Sequence, residues 1–180
     1  DMTENEMEVH QNHAEPWRVT LVDTGDSTQT GGRLKRVKSY VEEDEAFCFT
    51  YGDGVADVDI TELVKFHHKH KKIATITAVK PPGRYGALDL NNNQVTGFIE
   101  KPKGDGGYIN GGFFVLNPKV LSYINGDHMP WESDPLINLS KDGELMAFEH
   151  QGFWQAMDTL REKQYLESLW DSGKAPWKTW

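Results

Sequence analysis

The chain contains a single cysteine, Cys48, so no internal disulfide can form and a secreted disulfide framework is excluded. Basic residues are in deficit: 19 Lys and Arg stand against 28 Asp and Glu, a formal net charge of −9. Such a balance exerts no general pull on nucleic acid or an anionic membrane, and neither is expected as a partner. No apolar run approaches the ~20 residues of a membrane span, and the polar opening DMTENEMEVHQNH is not a signal peptide. Neither a Gly-x-Ser-x-Gly elbow nor a Cys/His pair marks a protein nucleophile. What is present is a core. Six Trp, six Tyr and eight Phe in 180 residues supply more large apolar surface than a disordered chain carries. One ordinary domain of that size buries roughly 70% of its unfolded surface. A cytoplasmic globular domain is the expectation.

Residues 1–16 read as a polar arm or the remnant of a truncation, and residues 17–180 as one domain. The segment Trp17 to Asp23 has strand character. A turn-rich stretch to Gly32 leads into a helix in which Leu34, Val37 and Val41 keep helical spacing. Ala46 to Tyr51 is a continuous apolar run, as in a strand buried on both faces. Asp59 with Glu62 suggests a capping box for a second helix, and Lys72 to Val79 is again β-rich. The alternation is that of a βαβαβ unit with a parallel sheet. The second half adds a hairpin near 87–99, a strand at 108–116, a helix led by Pro118 and another at about 135–141. A short strand at 145–148 follows, then a closing helix opened by Asp158 or Thr159. The fold class is α/β, with a mainly parallel sheet flanked by helices and an antiparallel hairpin attachment.

Several places suit chemistry. Asp53 sits between Gly52 and Gly54 at the end of an apolar strand, where ligands of open α/β sheets bind. Its carboxylate suits a divalent metal, and a simple turn is the competing reading. Gly31, Gly32 and Arg33 open a helix, suiting close approach of an anion or base or merely glycine dihedrals in a connecting loop. Glu100 and Lys101 precede a glycine-rich loop, and Asn110 offers a donor and an acceptor to a hydroxylated ligand. Charged loops of this composition are commonly just solvated. Asp158 is either an N-cap or a second metal carboxylate beside Asp53. The HHKH run at 67–70 reads as a solvated helix end.

The order of these segments is more specific than any one of them. VTLVDTGDSTQTGGRLKRV, FTYGDGVADVDI, PPGRYGALDL, FIEKPKGDGGYINGGFFVLNP, LMAFEHQGFWQAMDTLRE and GKAPWKTW together resemble the glucose-1-phosphate cytidylyltransferases of the sugar-nucleotidyltransferase family. The resemblance implies a partial Rossmann-like nucleotidyltransferase fold joining CTP and glucose 1-phosphate into CDP-glucose and pyrophosphate, with magnesium. By it, Asp53 and Asp158 hold the metal, and Lys101 acts in catalysis beside them. Glu100 and Lys101 contact the sugar and its phosphate, and Gly86 and Asn110 line the sugar site. Gly31, Gly32 and Arg33 lie against the cytidine nucleotide with Tyr51 and Gly52. The family's opening strand and glycine-rich loop, whose Arg and Lys hold the triphosphate, are not found in these 180 residues. The expectations are therefore a truncated domain, complete at its C-terminal end, inactive by itself and homo-oligomeric through uncovered sheet surface. The alternative is a non-catalytic domain that binds a sugar nucleotide or a protein partner.

Overall fold

The computed structural model describes residues 17–81, 87–91, 94–99 and 107–179. Helix α1 (Thr30–Arg36) runs into a 3-10 turn (Lys38–Tyr40). Strands β1 (Phe47–Thr50) and β2 (Gly54–Ala56), helix α2 (Ile60–His70) and strand β3 (Ala74–Val79) follow. The hairpin β4 (Ala87–Asn91) and β5 (Gln94–Ile99) precedes β6 (Ile109–Leu116) and a 3-10 helix (Pro118–Tyr123). Helix α3 (Asp134–Lys141), β7 (Leu145–His150), β8 (Trp154–Ala156) and α4 (Leu160–Asp171) complete the chain.

The main sheet has the order β1-β6-β3-β7. β6 is antiparallel to both β1 and β3, and β3 is parallel to β7. Strands β1, β3 and β7 therefore share one direction, with β6 reversed among them. Their carboxyl ends, and the loops beyond them, face one edge of the molecule. β4 and β5 pair as the expected antiparallel hairpin, from Asn91↔Gln94 to Ala87↔Ile99.

Local chemistry sets the helix ends. The Asp59 carboxylate accepts the Glu62 N–H at 3.0 Å, capping α2. That helix stops at Lys71, whose φ of 59° is left-handed. α4 opens with a complete capping box between Thr159 and Glu162. The core packs Leu34, Phe114, Leu116, Val120, Ile124, Trp131 and Leu139 under the sheet. Rings of Phe49, Phe114 and Trp131 meet at centroid distances of 5.5–6.3 Å, tying β1 and β6 to the loop before α3. Each fully buried side chain of this kind contributes about 1.5–3 kcal/mol.

Three expectations are corrected. Residues 17–23 form no strand: Trp17, Val19 and Leu21 are 78%, 70% and 89% exposed, and no described strand pairs with them. β-propensity needs a partner edge, and none is supplied here. Second, β1 is not buried on both faces. Phe47 and Phe49 pack on the core while Cys48 and Thr50 are exposed, because β1 is an edge strand and α2 packs over β3, β6 and β7 instead. Third, HHKH is not a uniformly solvated end. His67 is buried, and its Nδ1 lies 2.8 Å from the buried Thr75 hydroxyl, which also meets His70 Nε2 at 2.7 Å.

Candidate functional site

Two short strands do the assembling. β2 and β8 pair antiparallel, Gly54 opposite Ala156 and Ala56 opposite Trp154. The Met157 N–H then donates to the Asp53 carbonyl at 2.7 Å. This ribbon brings the residue after Gly52 next to the residue before Thr159. Asp53 and Asp158 accordingly line one cleft of about 200 Å³ with Tyr51, Asn110, Gly112 and Trp154. The cap of α4 is Thr159, which accepts the Glu162 N–H. Asp158 is thereby not the capping group that the simpler reading made it.

The opposite wall is a distortion in β6. Its register against β3 slips between Ile76↔Phe114 and Ala78↔Asn110, a bulge that bends the strand. Gly112 sits there at φ +79°, where a Cβ would lie 2.9 Å from the Tyr51 ring. Only glycine takes that conformation cheaply. The Gly112 N–H donates to Asn110 Oδ1 at 2.8 Å, and Asn110 Nδ2 donates to the Tyr51 hydroxyl at 3.2 Å. The amide is thus fixed in orientation and retains one N–H and one lone pair for a ligand. Burial, followed by the neighbouring Glu132 carboxylate, raises the Tyr51 phenol far above its ordinary pKa, so it stays neutral.

A larger cavity, about 560 Å³, opens on the other side of Tyr51 and Asp53. Thr24, Thr30, Arg33, Leu34, Gly52 and Glu132 help to line it. Arg33 is held by Thr24 Oγ1 at 2.7 Å and the Asp26 carbonyl at 3.2 Å. Gly31 and Gly32 face the interior instead. A Cβ on Gly31 would stand 2.6 Å from the Met129 carbonyl, and one on Gly32 2.5 Å from that of Asp127. Their glycine character serves close packing of α1. Thr30 and Glu132 escaped the sequence reading: the Thr30 hydroxyl donates to Glu132 at 2.7 Å and accepts the Trp131 N–H at 2.8 Å. No local pattern signals a contact of such sequence separation. Trp154 was missed as well, although an aromatic beside a strand-end carboxylate is a usable hint. Gly86, Glu100 and Lys101 lie outside the described residues, as do the arm 1–16 and most of the glycine-rich loop.

Asp53 and Asp158 offer hard oxygen donors from the two ends of a paired ribbon, which fits a magnesium ion. That ion is ordinarily held by one or two carboxylates, with water and substrate phosphates completing the shell. Among the described residues no group of three or more His, Cys, Asp and Glu side chains gathers around a common point, so a protein-only cage is not what this donor set suits.

The family described as nucleotidyl transferase matches residues 3–161. The chain belongs to that family. This nucleotidyl transferase chain is 66% identical, over 99% of its length, to the glucose-1-phosphate cytidylyltransferase of Salmonella typhimurium, of which it covers 70%. It is 40% identical over 92% of its length to the probable glucose-1-phosphate cytidylyltransferase of Bacillus subtilis, covering 65% of that protein. Its fold superposes on a putative glucose-1-phosphate thymidylyltransferase of Bacillus anthracis with a TM-score of 0.59 at 22% identity, covering 81% of this chain and 62% of the other. HddC of Yersinia pseudotuberculosis gives a TM-score of 0.57 at 24% identity, covering 78% and 61%. The nucleotidyl transferase chain thus spans between three fifths and about 70% of these relatives. Among its described residues no helix is long and apolar enough to cross a membrane.

Proposed function

We propose that this chain is the sugar- and metal-handling part of a cytoplasmic glucose-1-phosphate cytidylyltransferase, which makes CDP-glucose and pyrophosphate from CTP and glucose 1-phosphate. The observation that carries the reading is the convergence of Asp53, Asp158 and Asn110 on one cleft, in a chain 66% identical to an enzyme of that name. In the reaction a phosphate oxygen of the sugar attacks the α-phosphorus in line. One P–O bond forms, the bond to the bridging oxygen breaks, and pyrophosphate leaves. No protein nucleophile takes part.

Asp53 and Asp158 would hold a magnesium ion, which when bound offsets the charge of the two approaching anions. Asn110 orients sugar hydroxyls with its spare N–H and lone pair. Lys101, next to Glu100, is assigned the sugar phosphate as a mobile point charge, and Gly86 the rim of the sugar site. Arg33, Tyr51 and Gly52 form the wall against which cytidine lies; Gly31 and Gly32 set the position of that wall from behind. Tyr51, locked neutral, is scaffold and not an acid.

The glycine-rich Arg- and Lys-bearing loop that the resemblance calls for does not occur in these 180 residues. Positioning and charge neutralisation supply most of the acceleration in phosphoryl chemistry, so turnover by these residues alone is expected to be undetectable. Exposed Trp17, Val19 and Leu21 support self-association. The test of function is equilibrium binding of nucleotide sugars. CDP-glucose should bind in magnesium and outcompete the GDP-, UDP- and dTDP-glucoses. Equal binding of all four would defeat the cytidylyl reading.

A further inference from the structure

A side-chain hydrogen bond from Trp154 links the carboxylate ribbon to the main sheet. Trp154 lies on β8 opposite Ala56, four positions before Asp158, and lines the cleft itself. Its indole N–H donates to the Gly111 carbonyl at 2.8 Å. Gly111 is buried at the β6 bulge, between Asn110 and Gly112, and its own position is fixed: a Cβ there would meet Val79 at 2.8 Å and the Thr77 carbonyl at 3.0 Å. The β2–β8 ribbon is a separate two-stranded sheet. Short links, 51–53 after β1 and 151–153 after β7, tether it to the main sheet. The first is bonded to β6 by the Tyr51 N–H, which donates to the Gly112 carbonyl at 3.2 Å. Beyond these tethers its distance from β6 depends on side-chain contacts. On one side of the cleft stand Asp53 and Asp158, and on the other Asn110 on its locked amide. The indole spans from the first wall to the second.

We propose that Trp154 is a positioning residue. Through its N–H···O=C bond to Gly111 it sets the distance between the carboxylate ribbon and Asn110, and hence the width of the site for the sugar phosphate and its metal. The proposal rests on the sugar-nucleotide reading for its ligand, but the geometry it describes exists without one. Ring chemistry supplies a clean pair of variants. Trp154→Phe keeps an aromatic ring and removes the donor. Trp154→His loses the benzo ring and keeps, at Nε2, a five-membered-ring N–H at the same reach from the backbone.

The experiment titrates CDP-glucose in magnesium, and cytidine monophosphate separately, into the native chain and both variants. A nitrogen-15 spectrum of each is recorded without ligand. Trp154→Phe should weaken CDP-glucose about tenfold, the effect of losing one hydrogen bond, and Trp154→His should recover most of that loss. Cytidine monophosphate, assigned to the larger cavity, should bind all three alike. In the ligand-free spectra Trp154→Phe should shift the Gly111 and Gly112 amides together with those of Asp53 and Gly54, and Trp154→His should restore them. Equal impairment of CDP-glucose by both variants, or parallel loss of cytidine monophosphate, would make Trp154 a bulk filler and overturn the proposal. Shifts confined to β8 would overturn it too. If the native chain bound no CDP-glucose, the functional reading would fall while the spectra still decided the role of Trp154.

Discussion

Acidification to pH 5 should cost this protein stability, through His70 in part and chiefly through His67. It is 4% exposed on the inner face of α2, and burial, then the neighbouring His70 and His68, push its pKa down to about 4. The hydrogen bonds define the proton positions. The Lys72 N–H donates to His70 Nδ1 at 2.9 Å, so neutral His70 carries its proton on Nε2 and donates to Thr75 Oγ1. The Thr75 hydroxyl proton is then directed at His67 Nδ1. Protonating that nitrogen forces the Thr75 hydroxyl to turn away inside the protein, beside His70 and Lys72; of the nearby carboxylates, Glu144 pairs with Lys72 and Glu45 with His68. The folded pKa lies below the unfolded value of ~6.5, so above pH 7 neither state binds the proton and nothing is lost. As pH falls below 6.5 the unfolded chain takes up a proton and the folded chain does not. The difference reaches about 2 kcal/mol at pH 5 and saturates near 3 kcal/mol below pH 4. Urea unfolding at pH 7 and pH 5 measures it, with His67→Asn as the reference because its Oδ1 accepts from Thr75 without titrating. The native protein should lose about 2 kcal/mol more than the variant over that interval. Equal losses would refute the buried neutral histidine.

Thr77 is wholly buried on β3, and among the described residues its hydroxyl has no hydrogen-bond partner; Thr77→Val should raise stability by about 1 kcal/mol in urea unfolding. Gly112→Ala forces a Cβ into the left-handed region against the Tyr51 ring, and should cost about 2 kcal/mol while weakening sugar-nucleotide binding. Thr159→Ala removes the capping box of α4, with an expected loss of about 1 kcal/mol and a weaker metal response from the adjoining Asp158. Replacing Trp17, Val19 and Leu21 by Ser should shift the chain toward monomer in light scattering; an unchanged mass would show that this exposed stripe drives no association.

The elements that were legible in the sequence are those whose signal is local. The Asp59–Glu62 cap and the hairpin carry their partners within a few residues, and β3, although it pairs with the distant β6 and β7, announces itself by its own apolar run. Residues 17–23 misled because strand propensity describes a surface that wants a neighbour, not the neighbour itself. The apolar run at β1 hid an alternation, because Cys48 and Thr50 are small enough to be tolerated in solvent. The β2–β8 ribbon was illegible for another reason. Three residues per strand is too short to show a period, yet that ribbon alone explains how Asp53 reaches Asp158. The Thr30–Glu132 contact, formed only by packing of α1 on the loop before α3, has no sequence signature.

The most direct test of the site is calorimetric binding of CDP-glucose with and without magnesium, to the native chain and to Asp53→Asn and Asp158→Asn. A neutral amide binds a hard cation poorly. Magnesium should therefore strengthen binding to the native chain, and each substitution should abolish most of that gain. Asp158 does not line the larger cavity, so Asp158→Asn should leave cytidine monophosphate binding intact. CDP-glucose affinity indifferent to magnesium, or unchanged in both variants, would contradict the assignment of these two carboxylates.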